Sequence, residues 1–199
     1  MKVVSVSDGS IREAARILSS GGLVISPTDS VYGLFCSALD ENAVARVKEV
    51  KGRDAAKPLQ VAVRMEDAEK YGVITPEARK VIGRFWPGDV NIIVTKKPGI
   101  PDSVSKDTVC LTCHANPAAG RLVELSGKPL VSTSANFSGD APPKDSGEIN
   151  PILVKMVDLV LEAGETKNKK PNTIVDLTQK TARIVRDGPV SGKSILEII

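Results

Sequence analysis

The chain has 199 residues, of which 41% are hydrophobic and 26% are charged, and its formal net charge is +3. This length suits one well-packed domain, which we expect to span residues 1–199. The small net charge and the aromatic content of 3% disfavour duplex binding and base stacking on an aromatic surface. The sequence lacks an apolar run of about 18 residues and a signal-peptide pattern at Met1–Ser10, so we expect a soluble, cytoplasmic protein without a membrane contact.

The first half of the chain alternates short apolar strands with amphipathic helices. One helix is predicted from Ser10, which together with Glu13 fits a capping box, and two glycines end it. A second helix is predicted from its cap Asp40 to Val50. Strands are predicted at KVVSV, LVIS and LQVAV.

The second half continues this alternation. Helices are predicted at TPEARKVIGRF, PAAGRLVELSG and SILEII, and strands at VNIIVT, TVCLT, LVST, TIVDLT and ARIVRD. Strands and helices in alternation favour an α/β sheet covered by helices. Two long polar stretches, Pro98–Lys106 and Gly139–Asn150, interrupt the pattern, and we expect them to be loops that form a site.

The three cysteines, Cys36, Cys110 and Cys113, form an odd set, which argues against a disulfide framework in a chain without a secretory signal. The segment CLTCH matches the C-x-x-C-H form of a haem attachment site. It falls on a predicted strand, where side chains three positions apart point to opposite faces and cannot hold one ligand. We therefore interpret it as two strand cysteines followed by a strand-end histidine, His114.

Polar residues follow the second predicted strand directly, in SPTDSVYGL (Ser26–Leu34). Open α/β sheets bind ligands just beyond the ends of their strands, so hydroxyl groups here are candidate ligand contacts. The alternative is an ordinary turn, in which Asp29 bonds to nearby backbone and Gly33 supplies an unusual φ angle. The polar side chains of this stretch are Thr28, Asp29, Ser30 and Tyr32.

Three cations lie close together in KGRDAAKPL (Lys51–Leu59), where the second helix ends. In an extended chain Lys51 and Arg53 project to the same side, so the pair suits a polyphosphate or a carboxylate. Lys57 follows within the same segment. The alternative is a solvated last turn whose cations complement the helix dipole.

The stretch LVSTSANFSG (Leu130–Gly139) begins as an apolar strand and continues with hydroxyl and amide side chains. Such groups in a buried strand need hydrogen-bond partners, which indicates that they hold a ligand. Ser134 and Asn136 are two positions apart and can face one pocket. The alternative is a turn in which both side chains bond to their own backbone.

One further motif does not indicate a nucleotide site. GPVSGKS (Gly188–Ser194) is similar to the phosphate-binding loop G-x-x-x-x-G-K-S, but Gly188 is one residue too close to Gly192. Only a short helix follows it, so the motif predicts a capped terminal helix instead.

Taken in order, the three polar stretches resemble the YrdC/TsaC family, the L-threonylcarbamoyladenylate synthases. The family pattern P-T-D-T-x-Y-G-L, K-x-R and S-x-N corresponds here to PTDSVYGL, Lys51-Gly52-Arg53 and Ser134-Ala135-Asn136. FWPGDVNIIV is similar to the family's W-P-G-P-x-T segment, and PNTIVDLT followed by RIVRDG is similar to its closing portion. The five motifs lie in register from about Gly21 to Gly188, which makes the resemblance specific.

The resemblance implies an α/β fold, with a twisted, mostly mixed β-sheet flanked by helices around a large, concave, basic cavity. It also implies a reaction in which L-threonine, bicarbonate and ATP give threonylcarbamoyl-AMP and pyrophosphate. The product supplies N6-threonylcarbamoyladenosine in tRNA through downstream transfer proteins, and RNA contact is a further expectation. Mg²⁺ is expected to bind mainly through the ATP phosphates, with no metal site of the protein's own. The length implies the short, stand-alone type.

The resemblance also assigns roles to individual residues. Lys51 and Arg53 take catalytic positions, while no general base is apparent. The ATP-side positions are Arg53, Lys57, Thr108, Asn136, Lys144 and Arg186. The threonine-side positions are Ser30, Ser134 and Asn172.

The chain departs from the family pattern at three positions. Ser30 replaces a threonine and Asn172 replaces a serine. Thr112 stands where the family's V-R-V-P segment has an arginine, because that segment reads LTCH here. An arginine there would bond the threonine carboxylate, and its loss is worth roughly ten- to hundredfold in binding. We therefore hypothesise an altered amino-acid pocket beside an intact nucleotide side.

Two other functions stay open from the sequence. A basic cavity of this kind would also suit a non-catalytic, RNA-binding or ribosome-associated protein. A carbamoyl-transfer relative that acts on another acceptor is the third reading. Pyrophosphate release that requires both threonine and bicarbonate distinguishes the synthase from the RNA-binding protein, which RNA binding with a steep salt dependence and no turnover would favour.

Overall fold

The computed structural model describes residues 2–199, and its centre is a single ten-stranded sheet. The strands lie in the order β1-β8-β2-β3-β7-β4-β6-β5-β9-β10, with parallel and antiparallel neighbours mixed. Their bounds are β1 Lys2–Ser5, β2 Val24–Ser26, β3 Gly33–Ser37, β4 Gln60–Ala62, β5 Val90–Thr95, β6 Thr108–Thr112, β7 Leu130–Ser134, β8 Leu159–Glu162, β9 Thr173–Asp176 and β10 Arg183–Arg186. The predicted mixed α/β architecture is confirmed.

Seven α-helices cover or flank this sheet within the described residues. Their bounds are α1 Asp8–Ser19, α2 Glu41–Val50, α3 Ala68–Tyr71, α4 Pro76–Phe85, α5 Pro117–Ser126, α6 Pro151–Lys155 and α7 Gly192–Leu196. Helix α2 starts at its predicted cap, where the Asp40 carboxylate accepts the Asn42 and Ala43 N–H groups. Within residues 2–199, none of the helices combines the length and the apolarity needed to cross a membrane.

The sheet has an apolar core on each face, because successive strand residues alternate between faces. On one face, Val24 and Leu130 belong to a cluster with α1 and α5 residues such as Leu18 and Leu122. On the other face, Ile25 joins the cluster that contains α2 and α4. The first cluster covers only part of its face, and the uncovered part forms the candidate site.

The sequence predictions need correction at one helix cap, and they lack four elements, namely α3, α6, β3 and β8. Helix α1 is capped by Ser7 rather than by Ser10, because Ser7 Oγ accepts the Ser10 N–H at 3.2 Å and Ser10 Oγ accepts the Ser7 N–H at 2.8 Å. Strand β3 was not predicted, since its residues overlap the polar motif that precedes them. Strand β8 was also not predicted, although its three apolar residues are buried and it pairs in parallel with both β1 and β2.

Candidate functional site

A concave pocket of about 420 Å³ lies on the face of the sheet that α1 and α5 leave uncovered. Its floor comes from neighbouring strands, with Gln60 of β4 and Cys110 of β6 directly opposite each other. Along β7 the inward residues change from Leu130 beneath the helices to Ser132 and Ser134 in the pocket. Polar residues therefore replace apolar ones at the point where the covering helices end.

The pocket brings together the three polar motifs. Ser30 comes from the first motif, Arg53 from the second and Ser134 from the third. Asn172 and Arg186 of the closing segment also line the pocket. Residues that are far apart in the chain therefore share one concave surface, which carries two guanidinium groups, several hydroxyls and several amides.

The two guanidinium groups of the pocket have no carboxylate partner within residues 2–199. Arg53 donates to the Pro58 carbonyl at 2.9 Å, and its Nε is buried without a partner. Arg186 Nε donates to the Asn172 carbonyl at 2.9 Å. Loss of water on partial burial lowers the pKa of both arginines, although much of Arg186 stays exposed. Both groups are therefore available to an anionic ligand.

Lys51 lies behind the pocket rather than in its lining. Its side chain is only 3% exposed, and its ammonium donates to the carbonyls of Ser134 and Asn136, the latter at 2.8 Å. Burial, and then the charge of Arg53, lowers its pKa to about 8. The lysine therefore holds the S-x-N segment in place and adds a positive charge beneath it.

Asn136 turns away from the pocket. Its amide nitrogen donates to the carbonyls of Phe137 at 2.9 Å and Asp140 at 2.8 Å, so it closes its own turn as the alternative interpretation expected. Its Oδ1 is buried without a hydrogen-bond partner. Of the predicted pair, only Ser134 lines the pocket.

Three more of the predicted ATP-side residues lie outside the pocket lining. Lys57 and Lys144 are exposed and form no ion pair within the described chain. Lys144 belongs to the loop whose Pro143 carbonyl accepts the Tyr32 N–H at 2.8 Å, which ties that loop to the first motif. Thr108 starts β6 opposite Thr95.

A chain of amides crosses one wall of the pocket. Asn172 Nδ2 donates to Asn91 Oδ1 at 3.1 Å, and Asn91 Nδ2 donates to Gln60 Oε1 at 2.6 Å. Asn172 Oδ1 is buried and has no partner in the described chain, so it can accept a hydrogen bond from a ligand. Asn172 therefore presents a free amide oxygen at this position.

The sequence analysis missed a buried polar array at the edge of the pocket. His114 Nδ1 lies 3.3 Å from Asp29 Oδ2, and His114 Nε2 lies 3.0 Å from Ser132 Oγ. All three residues are buried, since Asp29 and His114 are each 7% exposed and Ser132 is 4% exposed. His114 follows the end of β6 as predicted, but its contacts with Asp29 and Ser132 were not predicted, and the presence of a single histidine just after a strand was the available signal.

Neither a disulfide nor a metal site is found among the described residues. All three cysteines are free, and burial raises the pKa of Cys110 to about 12 and that of Cys113 to about 11. Within residues 2–199, no group of three or more His, Cys, Asp or Glu side chains could hold a metal ion. The Gly188–Ser194 segment forms the predicted capped terminal helix, with Ser191 as the cap.

Comparisons with known proteins identify the family of the chain. Residues 16–188 match the family model for Sua5, YciO and YrdC proteins, whose description is "Telomere recombination". A Methanocaldococcus jannaschii protein, provisionally named a threonylcarbamoyl-AMP synthase, is 36% identical over 197 residues, which cover 95% of this chain and 94% of that protein.

Two solved structures share the fold. Pyrococcus abyssi Sua5 complexed with L-threonine has a TM-score of 0.93 and 33% identity, and the match covers 100% of this chain. This chain spans 60% of that longer protein. Escherichia coli YciO has a TM-score of 0.87 and 27% identity, and the match covers 98% of this chain and 97% of YciO. The chain therefore belongs to the Sua5/YciO/YrdC family.

Proposed function

We propose that this chain is a threonylcarbamoyl-AMP synthase, which forms its product and pyrophosphate from L-threonine, bicarbonate and ATP. The observation that carries the proposal is the pair of carboxylate-free guanidinium groups, Arg53 and Arg186, in a pocket lined with hydroxyls and amides. A triphosphate needs cations of this kind, and an amino acid needs both donors and acceptors. The names of the M. jannaschii and P. abyssi relatives support the same reaction.

The chemistry requires the carbamate of the threonine amine to attack the α-phosphorus of ATP. A carbamate decomposes readily in water, so a concave pocket that limits water favours its survival. Phosphoryl-type transfer depends mainly on positioning and charge neutralisation. Arg53 and Arg186 supply the charge within the pocket, and Lys51 acts from behind it by fixing the backbone that carries Ser134.

The nucleotide is proposed to extend from the two arginines toward the neighbouring loops. Lys57 and Lys144 are exposed on those loops and have no carboxylate partner in the described chain, so they can approach a triphosphate without breaking an ion pair. Thr108 and Asn136 also stay proposed ATP-side residues. Asn136 would act indirectly, by fixing the turn that its own amide closes.

The amino acid is proposed to bind near Ser30, Ser134 and Asn172, which line the pocket together. Thr112 is fully buried and its hydroxyl has no partner in the described chain, so it does not take over the carboxylate contact that an arginine would make. We propose that threonine binding is correspondingly weaker, or that another amino acid is preferred. Calorimetry with threonine and serine distinguishes these cases, and tight binding of threonine alone would contradict both.

Mg²⁺ is proposed to arrive already bound to the ATP phosphates. The pocket offers uncharged oxygens, such as the Ser30 hydroxyl and Asn172 Oδ1, alongside its two cations. This donor set fits an ion that keeps its waters and its phosphate ligands. When bound, Mg²⁺ neutralises charge that develops on the leaving pyrophosphate.

The decisive experiment measures pyrophosphate release from ATP, with each substrate omitted in turn. We expect release only when threonine and bicarbonate are both present, and loss of turnover in Arg53→Ala with the fold retained. Product of this reaction would feed tRNA-modifying proteins in the cytoplasm. RNA binding with a steep salt dependence and no turnover would instead support a non-catalytic, RNA-binding protein.

A further inference from the structure

Asp29, His114 and Ser132 are held in a fixed geometry by their surroundings. The Asp29 carboxylate accepts the Ala115 N–H at 3.1 Å as well as approaching His114 Nδ1 at 3.3 Å. The Phe35 ring meets the imidazole edge to face, with the centroids 5.9 Å apart. The imidazole therefore has little freedom to turn, and its two nitrogens face different partners.

This geometry determines which nitrogen of a neutral His114 carries the proton. A carboxylate can only accept, so Nδ1 donates to Asp29 and Nε2 is left unprotonated. Nε2 then accepts the hydroxyl proton of Ser132. The remaining lone pairs of Ser132 Oγ are free to accept a hydrogen bond from a ligand, because Ser132 and His114 both line the pocket.

The array lies at the boundary between the covered and the uncovered parts of one sheet face. Phe35 belongs to the apolar cluster beneath α1 and α5, while Ser132 lines the pocket. The titratable and charged groups around it are Asp29, Asp89, Cys113, Glu66, Lys167, Arg53 and Arg186. Burial raises the pKa of Asp89, and the nearby charge of Asp29 raises it further, whereas Asn168 and Lys167 lower it. Asp29 and Asp89 therefore make the surroundings of the array more acidic than the part of the pocket that carries the two arginines.

Such acidic surroundings suit the amine of an amino acid rather than its carboxylate. The histidine is also a departure from the family pattern, since it stands at the proline of the V-R-V-P segment that reads LTCH here. We infer that Asp29, His114 and Ser132 form a relay that binds the substrate amine and accepts the proton released when that amine is carboxylated. This inference rests on the proposed synthase function.

The proton balance requires one acceptor. An ammonium and bicarbonate give a carbamate, one water and one proton. Ser132 Oγ accepts a hydrogen bond from the ammonium and takes its proton, while its own proton passes to His114 Nε2. The nitrogen lone pair then forms a bond to the carbon of CO₂, and the second amine proton joins the hydroxide that bicarbonate loses, which gives water. Asp29 stabilises the imidazolium that results.

The test compares His114→Gln and Ser132→Ala with the wild type in the pyrophosphate assay, using L-threonine, bicarbonate and ATP. Ser37→Ala is the matched control, because Ser37 is also a buried strand serine but lies opposite Leu130 beneath the helices. We expect a loss of about 100-fold or more in both variants, the range typical of a lost acid–base group.

Two further readouts separate a proton acceptor from a structural residue. The His114→Gln rate should depend on pH differently from the wild-type rate, and it should recover at alkaline pH, where the amine loses its proton unaided. Added imidazole should restore part of the rate in His114→Ala, and binding of a non-hydrolysable ATP analogue should stay within about threefold of wild type in every variant.

Each contrary outcome overturns the inference. A His114→Gln enzyme with an unchanged rate, or a slower one that keeps the wild-type pH profile, would show that His114 is not the acceptor. Absence of pyrophosphate release from the wild type, with ATP still bound, would refute the synthase function and this inference together.

Discussion

One face of the sheet consists of two regions that differ in what covers them. Beneath α1 and α5, the inward residues are apolar, as with Phe35 and Leu130. Further along the same strands, Gly33 and Ser132 take their place and line the open pocket. Residues two positions apart on a strand lie on the same face of the sheet. Each of these strands therefore passes from the covered region to the pocket within two residues. The backbone of each strand is continuous across both regions. Only the side chains distinguish the packed core from the open pocket.

The comparison predicts that large changes in stability come from the covered region. Leu122→Ala, in α5, removes a fully buried side chain and should lower the free energy of unfolding by about 2–5 kcal/mol. Leu196→Ala is the matched control, because Leu196 is 44% exposed and should cost less than 1 kcal/mol, as is usual for about this degree of exposure. Urea unfolding measures both changes, and equal losses would contradict the assignment of the core.

The free energy of unfolding should depend on pH through Lys51. Its pKa is lowered from 10.5 to about 8, so burial penalises the charged form below pH 8. Between pH 8 and 10.5 the unfolded chain keeps a proton that the folded chain has lost, and stability therefore rises with pH. Relative to Lys51→Met, the free energy of unfolding of the wild type should rise by up to about 3 kcal/mol across this window. Parallel curves for the two proteins would exclude a buried, shifted lysine.

The open region should respond through binding instead. Arg186→Ala should weaken ATP binding by roughly ten- to hundredfold, because a charge-assisted contact to phosphate is lost. Arg183→Ala is the control on the same strand, since Arg183 is 76% exposed at its side chain and pairs with Asp176. Calorimetry with ATP measures the difference. Equal affinities in the two variants would remove Arg186 from the nucleotide site.

The smallest predicted effect lies near the boundary of the two regions. Thr112 is two residues beyond Cys110 on β6, and its buried hydroxyl has no partner within the described chain. Thr112→Val keeps the shape and removes the unsatisfied group, so it should raise the free energy of unfolding by about 1 kcal/mol. Thermal unfolding measures this change, and a loss of stability would show that the hydroxyl is bonded.

Regular periodicity made much of the fold predictable. Helix α2 follows from its aspartate cap and its buried valines, and β5 to β7 follow from their apolar runs. Strand β3 was missed because its GLFCS segment follows directly on polar motif residues. Strand β8 was missed because its LVLE segment follows the apolar residues of α6 without a glycine or proline between the two elements. The order of the strands could not be predicted, since it depends on long-range pairing such as that of β1 with β8.

The site was predictable only in part, for a related reason. Short polar motifs at strand ends identified Ser30 and Ser134, and the cations that follow α2 identified Arg53. All three residues line the pocket. The contact of His114 with Asp29 joins residues 85 positions apart, and no local pattern contains it. The direction of the Lys51 side chain was equally unpredictable from the sequence. Lys51 contacts the backbone carbonyls of the S-x-N segment only when that segment packs against the end of its helix.

The division of the sheet face is tested most directly by nuclear magnetic resonance of the backbone amides during addition of ATP and then L-threonine. We expect the amide resonances of Ser132, Ser134 and Asn172 to shift on binding, while those of α1 and α5 keep their positions. Shifts confined to α1 and α5, with the pocket amides unmoved, would contradict the assignment of the open region as the binding site.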